Sequence, residues 1–513
     1  MESQNIRNKR LAKNTVILYL RMLLTTIVGL YTSRIVLQNL GIVDYGVYNV
    51  VGGVVVMFSF MQTALGNATS RFITVSLGKD SLEETQKVYS TTKFLHVCLS
   101  LLILIIAETI GLCFFNNYLN IPETTKNAAI WAYQLSVLTT VIAVMSVPDN
   151  SLIIAHEDMD SFAYISIYDS IIKLVIAYLL VMFSSSRLIV YAVALCIVQL
   201  SVRLMYYIYC KKKYKESKLI FHFDKELARK IAVFSIYIIL PGFGATACAQ
   251  GLNVLLNIFA GPAANAARGL AVQVQAFMTK FTQSFQQAVS PQITKLCAIG
   301  EMEQMRNLIT KSAKFSFFIM AIPFIPLFFS IDFVLSLWLV EVPDYTVEFC
   351  RYTLIITLLS TIDYPFLIGI TAEGNIRKIY TLGGILSTMV VPFAYIALRM
   401  GFPIICVYIV HLIIHIVCIL LEIILGGKML SYGFIKVIKD LFVPIFSSVS
   451  LGIIIALSIT SILPSESLIS FLISSTIMSL LASIVIYFVG LTNSEKKFVR
   501  GKLFVLCKKM NRS

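Results

Sequence analysis

Apolar runs of about 20 residues, the length a helix needs to cross a bilayer, recur along this chain from one end to the other. Nothing else in the sequence constrains the fold as tightly, because lipid leaves no water to satisfy exposed backbone polar groups. With 513 residues, 58% hydrophobic and only 13% charged, the chain reads as an all-α, polytopic integral membrane protein. About fourteen candidate transmembrane helices are centred near residues 26, 56, 104, 138, 172, 198, 245, 278, 326, 361, 388, 413, 450 and 478.

The formal net charge of +15 raises the question of nucleic acid, and the placement of the basic residues answers it. With Met1 assigned to the cytoplasm, Lys126, Arg187 and Arg399 are the 3 basic residues of the outer segments, and the inner segments together hold 32. This positive-inside asymmetry puts both termini in the cytoplasm with an even number of spans, and it implies no nucleic-acid partner. Trp131 and Trp338 fall at expected outer ends, as interfacial residues do. The polar, basic start MESQNIRNKRLAKN runs into the first span without a small-residue cleavage site and reads as uncleaved. The ten cysteines are scattered, with no CxxC pair, and read as apolar packing residues.

Every expected loop is short, so a soluble catalytic domain has no place. The longest, a basic linker at 211–230, separates two similar halves: residues 1–210 and 231–426, each a six-helix lobe, with 427–513 adding a helix pair and a basic tail. At an offset of 220, Gly41 falls on Gly261 and SRFITV from Ser70 falls on SPQITK from Ser290. At 217, Pro148 and Ala155 fall on Pro365 and Ala372. Such a repeat is the organisation of a transporter. Two segments, LPGFGA (Pro241, Gly242, Gly244) and IDYPFLIG (Asp363, Pro365), carry the proline and glycine of helices broken at a binding site, or of static kinks.

Charges within the spans are the candidate functional residues, because an arginine at mid-bilayer costs roughly 2.5 kcal/mol or more and needs a partner, a wet cavity or a route to the headgroups. Span 1 holds Arg21 and Arg34 and no acid. At 100° per residue Arg21 shares its face with Asn14, Thr25 and Thr32, and Arg34 shares its face with Leu23, Ile27 and Leu30. A straight helix aims Arg21 at a polar interior and leaves Arg34 to snorkel; a bend at Gly29 would undo this. Span 5 sets Ser166, Asp169, Ser170 and Lys173 on one stripe, either a self-neutralised pair or a lysine shared with an anionic ligand. In span 8, Arg268, Gln275, Thr279, Thr282 and Gln286 lie along one face that Gln273, Lys280, Ser284 and Gln287 widen; its counterpart in span 2 holds Asn49, Thr63, Asn67 and Arg71. Glu108, Asp169 and Asp363 are candidate coupling acids, with neutralising partners as the alternative. His411, His415 and Glu422 share a face in span 12 with metal-ligand spacing, and packing through hydrogen bonds is the reading preferred to a metal or proton site.

The sequence has no Walker A motif, Ser/His/Asp constellation or metalloprotease helix, so no enzyme, cofactor or metal is expected. LGIVDYGVYNVV after span 1, ALGNATSRFITVSLGK at the end of span 2 and LIIAHEDMDSFAYISI between spans 4 and 5 resemble the polysaccharide (O-antigen, Wzx-type) flippase branch of the multidrug/oligosaccharidyl-lipid/polysaccharide (MOP) exporter superfamily. The resemblance spans essentially the whole chain. It implies a V-shaped bundle with a central cleft that alternates between inward-open and outward-open states. It also implies transfer of an undecaprenyl-pyrophosphate-linked oligosaccharide between leaflets of a bacterial inner membrane. Polysaccharide assembly proteins, a polymerase or chain-length regulator, are the partners it implies; a monomer suffices. Lys280, Arg268, Gln275 and Gln286 together with Arg21, Arg34 and Lys173 are then the substrate-binding candidates. The alternatives are a cation-coupled multidrug exporter, against which span 1 offers arginines in place of a carboxylate, and an integral-membrane polymerase or ligase, which needs a long outer loop.

Overall fold

The structure is a computed structural model describing residues 2–500 except 57–58, 78–80, 157, 184–185, 219, 221–223, 374–376, 430–433, 465–466 and 498–499. Within helices, the side chains of 2–20, 54, 56, 59–60, 64, 236–242, 284, 287–288, 291, 298, 377–378, 380, 426–429 and 434 also lie outside the described set. Among the expectations above, those on the side chains of Asn14, Pro241, Gly242, Ser284 and Gln287, and on the end of the tail, therefore fall outside it.

The described chain is helical throughout, without a strand. In order come α1 (Glu2–Val56), α2 (Ser59–Leu77), α3 (Leu82–Ile106), α4 (Leu112–Tyr118), α5 (Lys126–Ala155), α6 (Met159–Leu179), α7 (Arg187–Lys213) and α8 (Lys225–Ala298). They are followed by α9 (Met302–Phe329), α10 (Ile331–Trp338), α11 (Thr346–Glu373), α12 (Arg377–Arg399), α13 (Cys406–Met429), α14 (Phe434–Val437), α15 (Val443–Ile462) and α16 (Leu468–Val485). Among the described residues 12 helices are long and apolar enough to cross a membrane, and the chain is a multi-pass membrane protein. The expected count of about fourteen differs for two reasons. The polar helix α2 is not among the 12, and one stretch, Phe243–Gln283, covers both spans expected near 245 and 278.

That stretch is continuous in sequence but not in direction. Helix α8 has 74 residues and leaves helical geometry inside it at Gly261 (φ 75°, ψ −171°); α1 has 55 residues and does so at Gly41 (φ 80°, ψ 168°). Both glycines occupy the region essentially reserved to residues without a Cβ. They are the pair matched at the 220-residue offset. The breaks expected at LPGFGA and IDYPFLIG are absent: α8 runs through residues 241–244 and α11 through Pro365. A proline's lost hydrogen bond is made good by neighbours inside a packed membrane bundle, so proline alone does not end these helices. Gly29 likewise lies within regular helix.

The fold has two compact units, one of residues 1–269, 338–345 and 383–407, the other of 270–337, 346–382 and 408–513. These units follow packing, which carries the first arm of α8 into the first unit. Asparagines tie that arm down: Asn265 Nδ2 donates to the Asn253 carbonyl at 2.7 Å, and the Asn120 amide donates to Asn257 Oδ1 at 2.7 Å. Between membrane helices, where lipid removes the hydrophobic drive to associate, such polar bonds and close packing hold the bundle. A core of Ile73, Tyr89, Leu152, Ile165, Val198 and Tyr206 joins α2, α3, α5, α6 and α7. In the second unit the buried Lys314 of α9 meets the buried Glu495 at 2.6 Å, fastening the segment after α16.

A candidate anion site on the membrane helices

Charged residues of the membrane helices come together in the first unit where α1 faces α6. Four residues of α6, Phe162, Ser166, Asp169 and Lys173, recur at helical spacing and form one stripe. Arg21 of α1 meets its first half: the guanidinium carbon lies 4.6 Å over the Phe162 ring, and Nη1 donates to Ser166 Oγ at a long 3.4 Å. Its buried Nε has no hydrogen-bond partner among the described residues. Tyr206 of α7 also lies beside Ser166. A guanidinium carries five N–H donors, so most of Arg21's capacity is unspent, in the fork that fits two phosphate oxygens.

One turn on, Lys173 Nζ lies 2.8 Å from Asp169 Oδ2, and the buried Oδ1 of the same carboxylate has no hydrogen-bond partner among the described residues. The pair neutralises itself, leaving Arg21 as the net charge. Ser166 and Lys173 are seven residues apart, about 10 Å along the helix, a length over which a diphosphate and its first sugar extend.

The structure does not bring the other candidates to this place. Arg34 is 13 residues from Arg21, about 20 Å along α1. It is half-buried and acts electrostatically on Tyr178, whose hydroxyl donates to Tyr31 at 2.8 Å. Arg268 is buried, and its Nη2 donates to the Ala249 carbonyl at 2.8 Å, bracing one arm of α8 against the other. In the second unit Lys280 and Gln275 are half-buried, and the buried Gln286 Nε2 donates to the Thr361 carbonyl at 3.4 Å. Of the acids, Glu108 accepts from Gln134 Nε2 at 3.0 Å, which gives it a partner on α5.

Asp363 has a partner that sequence reasoning missed. It lies beside the buried Glu422 of α13, and Asp363 Oδ1 and Glu422 Oε2 are buried without hydrogen-bond partners among the described residues. His415 Nε2 lies 3.0 Å from Ser360 Oγ beside them. Among the described residues no group of three or more His, Cys, Asp and Glu is placed to hold a metal. Phe162 could have been found by running the α6 stripe one turn back; nothing local announces Tyr206 or the Asp363–Glu422 contact.

Between the end of α5 and the start of α6, Asp158 and His156 form a clamp. Asp158 accepts from Lys213 Nζ at 2.5 Å, Tyr209 at 2.5 Å and Tyr214 at 2.9 Å. Burial opposes its ionisation, but these three donors outweigh it and hold the carboxyl well below the usual range. His156 stacks on Tyr214 with centroids 4.1 Å apart, and burial pushes its imidazole below the ordinary histidine value.

Against known proteins, the sequence matches the family described as Polysaccharide biosynthesis protein over residues 11–297. No curated protein matches the chain. Among solved structures it is similar to an inward-facing multidrug resistance MATE family transporter of the MOP superfamily, with TM-score 0.69 and 17% identity over 82% of this chain and 98% of that one. It is also similar to the lipid II flippase MurJ in an inward closed conformation, with TM-score 0.66 and 14% identity over 92% of this chain and 99% of that one. A third is a MOP superfamily transporter from Pyrococcus furiosus described as having a binding pocket of reversed polarity (0.52, 16%, 82% and 93%). At these identities the likeness is one of fold.

Proposed function

The chain belongs to the polysaccharide biosynthesis protein family, and we propose that it is a flippase moving undecaprenyl-pyrophosphate-linked oligosaccharide repeat units from the cytoplasmic to the periplasmic leaflet. The product would feed O-antigen, capsule or exopolysaccharide synthesis. The observation that carries this is Arg21: a half-buried guanidinium inside a membrane helix, with an unpartnered Nε and a serine, a tyrosine and a lysine–aspartate pair beside it. In this reading Arg21 takes the pyrophosphate, and Lys173 can leave Asp169 for a second oxyanion. Arg34 and Arg268 of the first unit, and Lys280, Gln275 and Gln286 of the second, are the remaining proposed substrate-binding residues, and the protein works by alternating access.

Movement across the membrane breaks no bond, so the protein acts as a transporter and not as an enzyme. Asp363, Asp169 and Glu108 are the proposed coupling acids, and of these Asp363 is favoured because a second buried acid, Glu422 of α13, lies beside it. The proposed setting is a bacterial inner membrane with both termini cytoplasmic, the protein sufficient as a monomer and working beside a polymerase and chain-length regulator. The likeness to a multidrug transporter favours a second reading, export of organic cations. A cation would need a net acidic site, and the charge left at the α6 stripe is positive.

The test is sidedness. Deleting the gene should leave lipid-linked oligosaccharide on the cytoplasmic leaflet, inaccessible to a periplasm-restricted sugar-modifying probe. Restoring the wild-type gene should reverse this. Arg21→Ala, present at wild-type level, should lower export at least about tenfold, since a charged hydrogen bond is worth roughly 1.5–3 kcal/mol. Unchanged sidedness together with altered drug tolerance would move the assignment to the exporter.

A further inference from the structure

Where α2 ends and α8 begins, the first unit has a cavity of about 680 Å3 lined by Phe72, Glu226, Arg229, Lys230, Val233 and Phe234. Its α8 residues form a single stripe with i, i+3, i+4, i+7, i+8 spacing. Along that stripe the chemistry changes within two turns: charged at 226, 229 and 230, at the start of the helix, and apolar at 233 and 234. The floor is fixed, because Phe72 and Phe234 pack on the core of Leu65, Ala68, Ile103 and Ile231.

Arg71 overhangs this floor from α2. Its guanidinium carbon lies 4.4 Å from the Phe234 centroid and 5.9 Å from that of Phe72, and the two rings meet edge to face at 6.1 Å. A guanidinium laid on an aromatic face keeps its N–H edges free for an oxyanion. Arg71, Arg229 and Lys230 have no ion-pair partner among the described residues, and Glu226 is the one acid in the lining. The groove is thus cationic at its mouth and apolar one turn deeper.

We propose that this groove is a binding site for an anionic glycerophospholipid, with the phosphate on Arg71, Arg229 and Lys230 and the upper acyl chain against Val233 and Phe234. The order of chemistry along α8 argues for a lipid over a free anion. Charge first and hydrocarbon deeper is the profile of a phospholipid lying beside a helix, and a soluble anion needs only the mouth. The site is separate from the Arg21 stripe and needs no statement about what the protein transports.

The test uses the full chain in detergent and three probes: dioleoyl phosphatidylglycerol, dioleoyl phosphatidylcholine and inorganic phosphate. Native mass spectrometry should show phosphatidylglycerol retained with at least tenfold preference over phosphatidylcholine. Arg71→Gln/Arg229→Gln/Lys230→Gln should remove that preference, and Lys436→Gln/Lys439→Gln, elsewhere on the chain, should not. If the triple variant is poorly folded, Arg71→Gln alone should lower phosphatidylglycerol affinity severalfold. Equal retention of the two lipids, full retention by the variants, or displacement of the lipid by millimolar phosphate would each overturn the proposal. None of these readouts depends on transport, so a failed flippase assignment leaves the result interpretable.

Discussion

Asp169 is gripped by Lys173 through one oxygen and bare at the other, so the pair is balanced only while both charges are present. Lys173→Met strands a partly buried carboxylate, and the expected result is a fall in thermal midpoint that Asp169→Asn/Lys173→Met largely restores. The coupling between the two positions should be roughly 0.5–3 kcal/mol; additive single effects would show that the pair is not coupled. His156, outside the spans, gives a pH dependence. Burial chiefly, with Lys213 adding to it and Glu216 and Asp158 opposing, lowers its folded-state value below the unfolded one near 6.5. Its stabilising contribution is therefore complete above about pH 6.5 and is lost as pH falls towards the folded value. The midpoint should drop between pH 7.5 and 5.5, and His156→Gln should flatten that drop; an identical pH profile in the variant would refute it. The α6 stripe was legible in the sequence because Ser166, Asp169 and Lys173 are bound by the 3.6-residue repeat. Arg21, 145 residues away from Ser166, joins them only through packing, and so does Glu422 with Asp363.

The helices themselves were legible from hydropathy, and their breaks were not. Proline at 241 and 365 drew the eye, yet the chain turns at Gly41 and Gly261, which no local pattern distinguishes from the other glycines in spans. Unbroken, the 74 residues of α8 would extend about 110 Å, more than three times the roughly 30 Å hydrocarbon core, so a break had to come somewhere. Gly261→Ala forces a Cβ into a backbone region that costs about 1–3 kcal/mol, and the same holds for Gly41→Ala. Each should lower the thermal midpoint measurably. Gly29→Ala is the control: nothing lies within 4 Å of the added Cβ and the backbone is helical there, so this variant should match or exceed the wild type by up to about 1 kcal/mol. Equal midpoints for Gly261→Ala and Gly29→Ala would show that the bend relaxes at no cost.

At the scale of the whole molecule, the proposed function requires the orientation that the positive-inside charge asymmetry predicts. An impermeant maleimide should label Lys126→Cys in intact cells and Lys211→Cys only after permeabilisation; the reverse pattern would overturn the positive-inside assignment and with it the direction of transport. The family and the membrane class were readable from hydropathy and three short motifs. The division into units was not, because Asn253, Asn257 and Asn265 bind the first arm of α8 by side-chain bonds that leave no periodic trace. Gly41 and Gly261 carry one further consequence. On the proposed duplication, the two copies are free to drift wherever another residue can be substituted. A backbone state open to a single amino acid permits no such drift, so these two glycines act as registration marks. Superposing the halves should begin from them and proceed outward, and any residue of one half that lacks a counterpart under that superposition is where the two copies have been given different work.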